Sequence, residues 1–309
     1  MDGYGPAGRS RWLDVDWNEH RRYEIFAGRR VNLVEIGSGP PLVFVHGLAG
    51  SWTNWLENIC EFADDHRVIA LDLPGFGASE ITGEAISIQG YARLLEDLCA
   101  KLEIASAAVV GSSMGGLVSA ELALRHPQRV ERLCLVSAAG LSIEKLPLNH
   151  VLKAAAPLER VFSFYGGLVA SRAATLARRR RLRQVMMALV AAHPGRLPAP
   201  LAAELVAGAG RPGLLPGLQA MSAYPIRDRL AEIACPAFIV WGDRDRLVPM
   251  RDAGEFERLI PGARKIIYPD TGHLPMLERP ACFNEDLRTF LEEEPGERVL
   301  KPGSTGNRG

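Results

Sequence analysis

After a polar, glycine-containing start, alternating residues in Arg22 to Phe26 and Arg30 to Ile36 flank the turn signal Ala27-Gly28-Arg29, which predicts a β-hairpin. The pattern then changes. Leu42 to Val45 is a short continuous apolar run, as a strand buried on both faces of a parallel sheet requires. Arg67 to Leu71, Ala107 to Val110, Leu133 to Val136, Ala237 to Trp241 and Lys265 to Tyr268 share that character. Helical periodicity falls between them, at Trp55 to Phe62, Ile88 to Leu102, Gly116 to Arg125, Asp252 to Leu259 and Ala281 to Leu291. Strands alternating with helices predict an α/β fold with a mostly parallel central sheet and helices on both faces.

One gap breaks the alternation. From Ser142 to about Leu230 no segment reads as a strand; Ala-, Leu- and Arg-rich helical stretches are punctuated by seven prolines, from Pro147 to Pro216. A structureless loop of that length inside a compact domain is improbable, so 142–230 is read as a helical cap inserted over one end of the sheet. The core is then 22–141 together with 231–292, preceded by an N-terminal extension, 1–21. The Pro-, Gly- and charge-rich 293–309 reads as a disordered tail.

Bulk composition excludes more than it selects. Lys plus Arg and Asp plus Glu number 36 each over 309 residues, so no global field favours nucleic acid or an anionic membrane. Cys60, Cys99, Cys134, Cys235 and Cys282 are odd in number and scattered, without CxxC or metal-ligand spacing, and read as small core residues in a reducing compartment. No metal or organic cofactor is expected. Met1 to Trp17 has no apolar h-region and no run approaches a membrane span, which predicts a cytoplasmic protein without stable membrane insertion. Oligomeric state is not encoded in any pattern found.

Chemistry enters at the strand ends. In Gly111-Ser112-Ser113-Met114-Gly115, Ser113 is the only serine with glycine two residues away on both sides. At a strand-to-helix hairpin such a serine takes a strained backbone and projects its hydroxyl, while neighbours without a Cβ let strand and helix approach. A serine nucleophile needs a base, a group to orient that base, and donors for the oxyanion. His46-Gly47-Leu48-Ala49-Gly50 follows one strand, so the backbone N–H groups of Leu48 and Met114 would form the oxyanion hole, with His46, Gly47, Gly111 and Gly115 in support. Gly242-Asp243-Arg244-Asp245 follows another strand and offers two carboxylates. Thr271-Gly272-His273 follows a third and offers an imidazole, which must be neutral to act as a base, so activity should fall at acid pH.

From about Arg22 to Leu291 the sequence resembles the α/β-hydrolase family with a helical cap. The matching segments are VFVHGLAGS, VIALDLPGFGAS, VVGSSMGG, FIVWGDRDRLVP and DTGHLPMLERP. The resemblance implies a nucleophile at Ser113, a base at His273, and an acid at the third residue after Gly242, which is Asp245, with Asp243 as the alternative. It also implies hydrolysis through an acyl-enzyme on a small-molecule acyl substrate. The expected reaction is cleavage of carboxylic esters of modest-sized, largely apolar acyl groups.

Rivals share the residues. Serine at 113 disfavours the branches that use aspartate there to form an alkyl-enzyme ester. Hydrolases of carbon–carbon bonds in meta-cleavage products share the serine triad, though relatives of that kind carry an aromatic residue where this chain has Leu274. Lactone hydrolysis, perhydrolysis and acyl transfer would use the same groups. A non-catalytic binding protein on the same scaffold is the alternative from another class. Apolar cap residues such as Leu141, Ile143, Phe162, Phe164, Met186 and Met187 serve equally as cap core or pocket wall, and Arg178 to Arg183 reads as the solvated face of a cap helix whose apolar side holds Leu176, Leu182, Val185 and Met186, with contact to an anionic substrate or a membrane surface as the alternative.

Overall fold

The computed structural model describes residues 3–81, 85–142, 171–207 and 211–293. Eight strands form one sheet: β1 (Arg21–Phe26), β2 (Arg29–Ile36), β3 (Pro41–Val45), β4 (Arg67–Leu71), β5 (Ala107–Ser112), β6 (Val130–Val136), β7 (Ala237–Gly242) and β8 (Arg264–Tyr268). Their spatial order is β1-β2-β4-β3-β5-β6-β7-β8, antiparallel from β1 through β4 and parallel elsewhere. The helices are α1 (Trp17–His20), α2 (Leu56–Phe62), α3 (Ile88–Lys101), α4 (Met114–Arg125), α5 (Ala173–Arg178), α6 (Arg180–Met186), α7 (Ala199–Ala207), α8 (Leu214–Ser222), α9 (Arg251–Leu259), α10 (Pro275–Glu278) and α11 (Pro280–Glu292).

Double burial explains the apolar runs. Val43 and Val45 of β3, Val109 of β5 and Ile239 and Trp241 of β7 pack into one core with Leu95 of α3, Leu117 of α4 and Phe256 of α9. Their sequence neighbours Leu42, Phe44, Val110, Phe238 and Val240 point the other way, against Ile59 and Phe62 of α2 and Phe283 and Leu287 of α11. Alternate residues therefore serve opposite faces, and every position of these strands must be apolar. The hairpin is tighter than the sequence suggested. Phe26 pairs with Arg29, leaving Ala27 and Gly28 as a two-residue turn with φ of 47° and 73°, the left-handed pair that matches strand twist.

Order reverses beside β3, where β4 lies on one side and β5 on the other. The crevice outside the carboxyl ends of strands at such a switch point is where an open α/β sheet accommodates ligands. The loops after β3 and β5 meet there.

The segment before β1 is docked: Ser10 Oγ and Trp12 Nε1 both donate to Glu57 Oε1, at 2.7 and 2.8 Å. After β6 the described part of 142–230 is helical, with α5 to α8 and no strand, while Ile143, Phe162 and Phe164 fall outside the described residues, as does 294–309. Arg178 to Arg181 are exposed, but Arg183 is buried and donates to the carbonyls of Ala177 and Gly195. Val185, expected on the packed side, is 77% exposed; α6 spans only seven residues, about two turns, too few for a full amphipathic stripe. Cys60, Cys99 and Cys134 are buried as expected; Cys282 is exposed.

Candidate active site

Ser113 sits between β5 and α4 with φ 55° and ψ −117°, a conformation that costs a non-glycine residue about 1–3 kcal/mol. Surrounding bonds impose it. Ser113 N–H donates to Val136 O at 2.9 Å, and Ser113 O accepts from Gly116 and Ala139 N–H, each at 3.0 Å. The side chain caps nothing in α4, so the hydroxyl is not consumed by the helix it precedes. The flanking glycines are required by contact rather than by their own φ. A Cβ on Gly111 would lie 2.4 Å from Gly115 O, and one on Gly115 would lie 2.3 Å from Val45 O. Met114 opens α4, so its N–H is one of the first-turn donors without an acceptor inside the helix, and the positive end of the helix dipole faces Ser113.

The loop after β3 closes on the same point. A Cβ on Gly47 would stand 2.9 Å from Ser113 Cβ. His46 is fully buried; its Nδ1–H donates to Gly47 O at 2.7 Å and its Nε2 accepts from Leu73 N–H at 2.9 Å. Because a trans peptide carries C=O and N–H on opposite sides, holding Gly47 O toward His46 turns Leu48 N–H away from it. His46 thus braces the loop. Helix α8 packs against the side chains of both residues: a Cβ on Gly217 would meet Leu48 Cδ1 at 2.8 Å and Met114 Sδ at 3.4 Å.

Burial pushes the His46 imidazole below its ordinary range, outweighing the nearby Asp72 carboxylate. The native ring therefore stays neutral where the unfolded chain's imidazole, with an ordinary pKa of ~6.5, takes a proton. Below that pH the unfolded state binds more protons, and stability falls as pH falls. We expect a loss of up to about 1.4 kcal/mol per pH unit below pH ~6.5 and none from this group above it. Urea titrations between about pH 5.5 and 7.5 should show that slope, and a His46→Asn variant should lack it.

The two carboxylates after β7 separate cleanly. Asp245 Oδ2 accepts from His273 Nδ1–H at 2.7 Å, and Asp245 Oδ1 accepts from Leu247 and Val248 N–H, both at 2.9 Å. Its side chain is wholly buried, as is nearly all of His273. Asp243 instead accepts from Thr271 N–H at 3.2 Å and stays exposed. The loops that carry Asp245 and His273 interlock, since a Cβ on Gly242 would lie 2.2 Å from both Thr271 O and Gly272 O.

Ser113 and His273 open into one cavity of about 800 Å³. Its polar lining among the described residues is Ser112, Ser113, Asn54 and His273 apart from backbone; Met186, Met187, Leu189 and Val190 of the cap form much of its apolar wall. Of the ambiguous cap residues, Met186 and Met187 are therefore wall, and Leu141 is buried core. The sequence reading missed Asn54, Glu278 and Tyr4. Glu278 stands in the quoted segment DTGHLPMLERP, where an acid among apolar residues was a usable signal; Tyr4 had none. Among the described residues no cluster of three His, Cys, Asp or Glu side chains is arranged to hold a metal ion, and no helix is long and apolar enough to cross a membrane.

Comparison with known proteins agrees with this architecture. The chain is 30% identical to a 2-hydroxymuconate semialdehyde hydrolase from Pseudomonas sp. (strain CF600), over 87% of this chain and 93% of that one. It is 29% identical to a pimeloyl-[acyl-carrier protein] methyl ester esterase from Vibrio atlanticus, over 83% and 96%. A solved N-acyl homoserine lactone degrading enzyme superposes with a TM-score of 0.68 at 28% identity, covering 87% of this chain and all of that one. The family model for the alpha/beta hydrolase fold matches residues 40–280, and the chain belongs to that family.

Proposed function

We propose that this hydrolase cleaves neutral carboxylic esters, lactones included, through an acyl-enzyme on Ser113. The observation that carries the reading is that the strained Ser113 and the Asp245-bonded His273 open into one cavity, with Leu48 beside them and no Lys, Arg, Asp or Glu in its lining among the described residues. With Nδ1–H committed to Asp245, His273 Nε2 is left to accept the Ser113 proton as Oγ attacks the acyl carbonyl. The Leu48 and Met114 N–H groups stabilise the resulting oxyanion, a donor of this kind being worth roughly 3–4 kcal/mol. His273 passes its proton to the departing alkoxide, then takes one from water as it attacks the acyl group, releasing the acid and restoring Ser113.

Cavity chemistry favours ester over carbon–carbon cleavage. Substrates such as 2-hydroxymuconate semialdehyde, in the name of the Pseudomonas relative, are acids. No Lys, Arg, Asp or Glu lines the cavity among the described residues, and a carboxylate moved out of water without a counter-charge is strongly disfavoured. The volume and apolar wall suit a medium-length acyl chain. We expect kcat/KM on p-nitrophenyl esters and acyl lactones to exceed that on a dienoate meta-cleavage product by about 100-fold or more, corresponding to one buried unpaired charge. A steady-state panel of the three classes measures it, and a preference for the dienoate would overturn the ester reading.

A further inference from the structure

We propose that the N-terminal segment is a working part of the site: Tyr4, acting through the buried carboxylate of Glu278, positions the His273 loop and ties it to the cap. The inference rests on His273 being the base. Tyr4 lies ahead of the family match, which begins at residue 40, whereas Glu278 lies inside it.

Glu278 is fully buried at the end of α10. Both of its oxygens accept from Gly272 N–H at 3.0 Å, and Oε1 accepts from Leu274 N–H at 3.2 Å. The amides on either side of His273 are thus held by one carboxylate. The His273 N–H itself donates to Val190 O of the cap at 3.0 Å. Cap and base loop touch directly there, since a Cβ on Gly272 would meet Ala192 N at 2.7 Å.

Tyr4 completes the bridge. Its hydroxyl donates to Glu278 Oε2 at 2.8 Å, the same oxygen that accepts from Ala192 N–H at 2.8 Å, and it accepts from His193 N–H at 3.0 Å. The His193 ring stands edge-on to the Tyr4 ring and pairs with Asp270 at 2.7 Å, just ahead of the base. The guanidinium groups of Arg196, from the cap, and Arg279 lie over the Tyr4 ring at 4.8 and 5.3 Å. Burial and the adjacent carboxylate push the Tyr4 hydroxyl well above the ordinary phenol range, so it remains a donor at every working pH. One hydroxyl therefore joins the N-terminal segment, the cap and the base loop. Proton transfer tolerates little displacement, so loosening this joint should cost rate rather than binding.

Tyr4→Phe keeps the ring and its cation contacts and removes only the hydroxyl. Two readouts are taken beside the melting temperature: kcat and KM on a p-nitrophenyl ester, and the low-field proton resonance of the His273 Nδ1–H bonded to Asp245. We expect kcat to fall about tenfold with KM within about twofold, and the resonance to shift or broaden. Glu278→Gln should do the same more severely, because an amide cannot accept from all four donors. A Tyr4→Phe protein with unaltered resonance and kcat would overturn the proposal, even if it melted earlier. Should the wild type lack ester turnover, the proposed function fails, and the resonance alone still decides for or against the role of Tyr4.

Discussion

Ser113→Ala is expected to lower kcat on ester substrates by roughly 10⁶-fold while leaving the fold intact. The hydroxyl caps no helix, and the strained backbone at 113 is imposed by bonds from Val136, Gly116 and Ala139, all made by main-chain atoms that alanine keeps. Stability should therefore change little. The wild-type protein should gain the mass of one fluorophosphonate adduct on Ser113, and the variant should gain none. This outcome also separates a hydrolase from a binding protein on the same scaffold, which would retain the shape of the cavity without an activated serine. Turnover by Ser113→Ala within tenfold of wild type, or labelling at another residue, would move the nucleophile elsewhere.

The core was legible because its constraint is local. A strand between two helical layers must be apolar at every position, and Leu42 to Val45 and Ala237 to Trp241 state that in four or five consecutive residues. The strand-end loops were legible for a related reason: Gly111, Gly115, Gly47 and Gly242 each stand where a Cβ would collide with backbone or with Ser113, so glycine marks close approach. His46 was read as a brace from its place beside that loop, and its ring bonds Gly47 O and Leu73 N–H.

What escaped the sequence is what long-range contacts determine. Tyr4 and Glu278 are 274 residues apart, and nothing near either announces the other. Cap helices were blurred because their apolar residues divide among cavity wall, core and solvent: Met187 lines the cavity, Ala177 lies in a buried cluster that includes Tyr4, and Val185 is exposed. Periodicity reports that a residue is apolar, not which of three surroundings it meets. Arg183 shows the converse, a charged residue buried because the carbonyls of Ala177 and Gly195 accept from it.

Asp245→Asn should lower kcat by roughly 10⁴-fold, whereas Asp243→Asn should stay within about fivefold of wild type. The two substitutions remove the same charge from residues two apart, so the difference isolates hydrogen-bond geometry. At 245 the main chain dictates how the new amide points. Leu247 and Val248 N–H groups both donate to the Oδ1 position, so the amide oxygen must occupy it and the NH₂ group must face His273. An NH₂ donor demands an acceptor at Nδ1. The ring proton then moves to Nε2, the nitrogen that has to take the Ser113 proton, and the base is blocked in the wrong tautomer without any change of shape. Asp243 is exposed and its carboxylate accepts one bond, from Thr271 N–H, which an asparagine oxygen can keep. Steady-state kinetics on one ester and the melting temperatures of both variants test the pair. A large loss at 243 with a small one at 245 would transfer the acid's role to Asp243 and require the loop after β7 to rearrange when substrate binds.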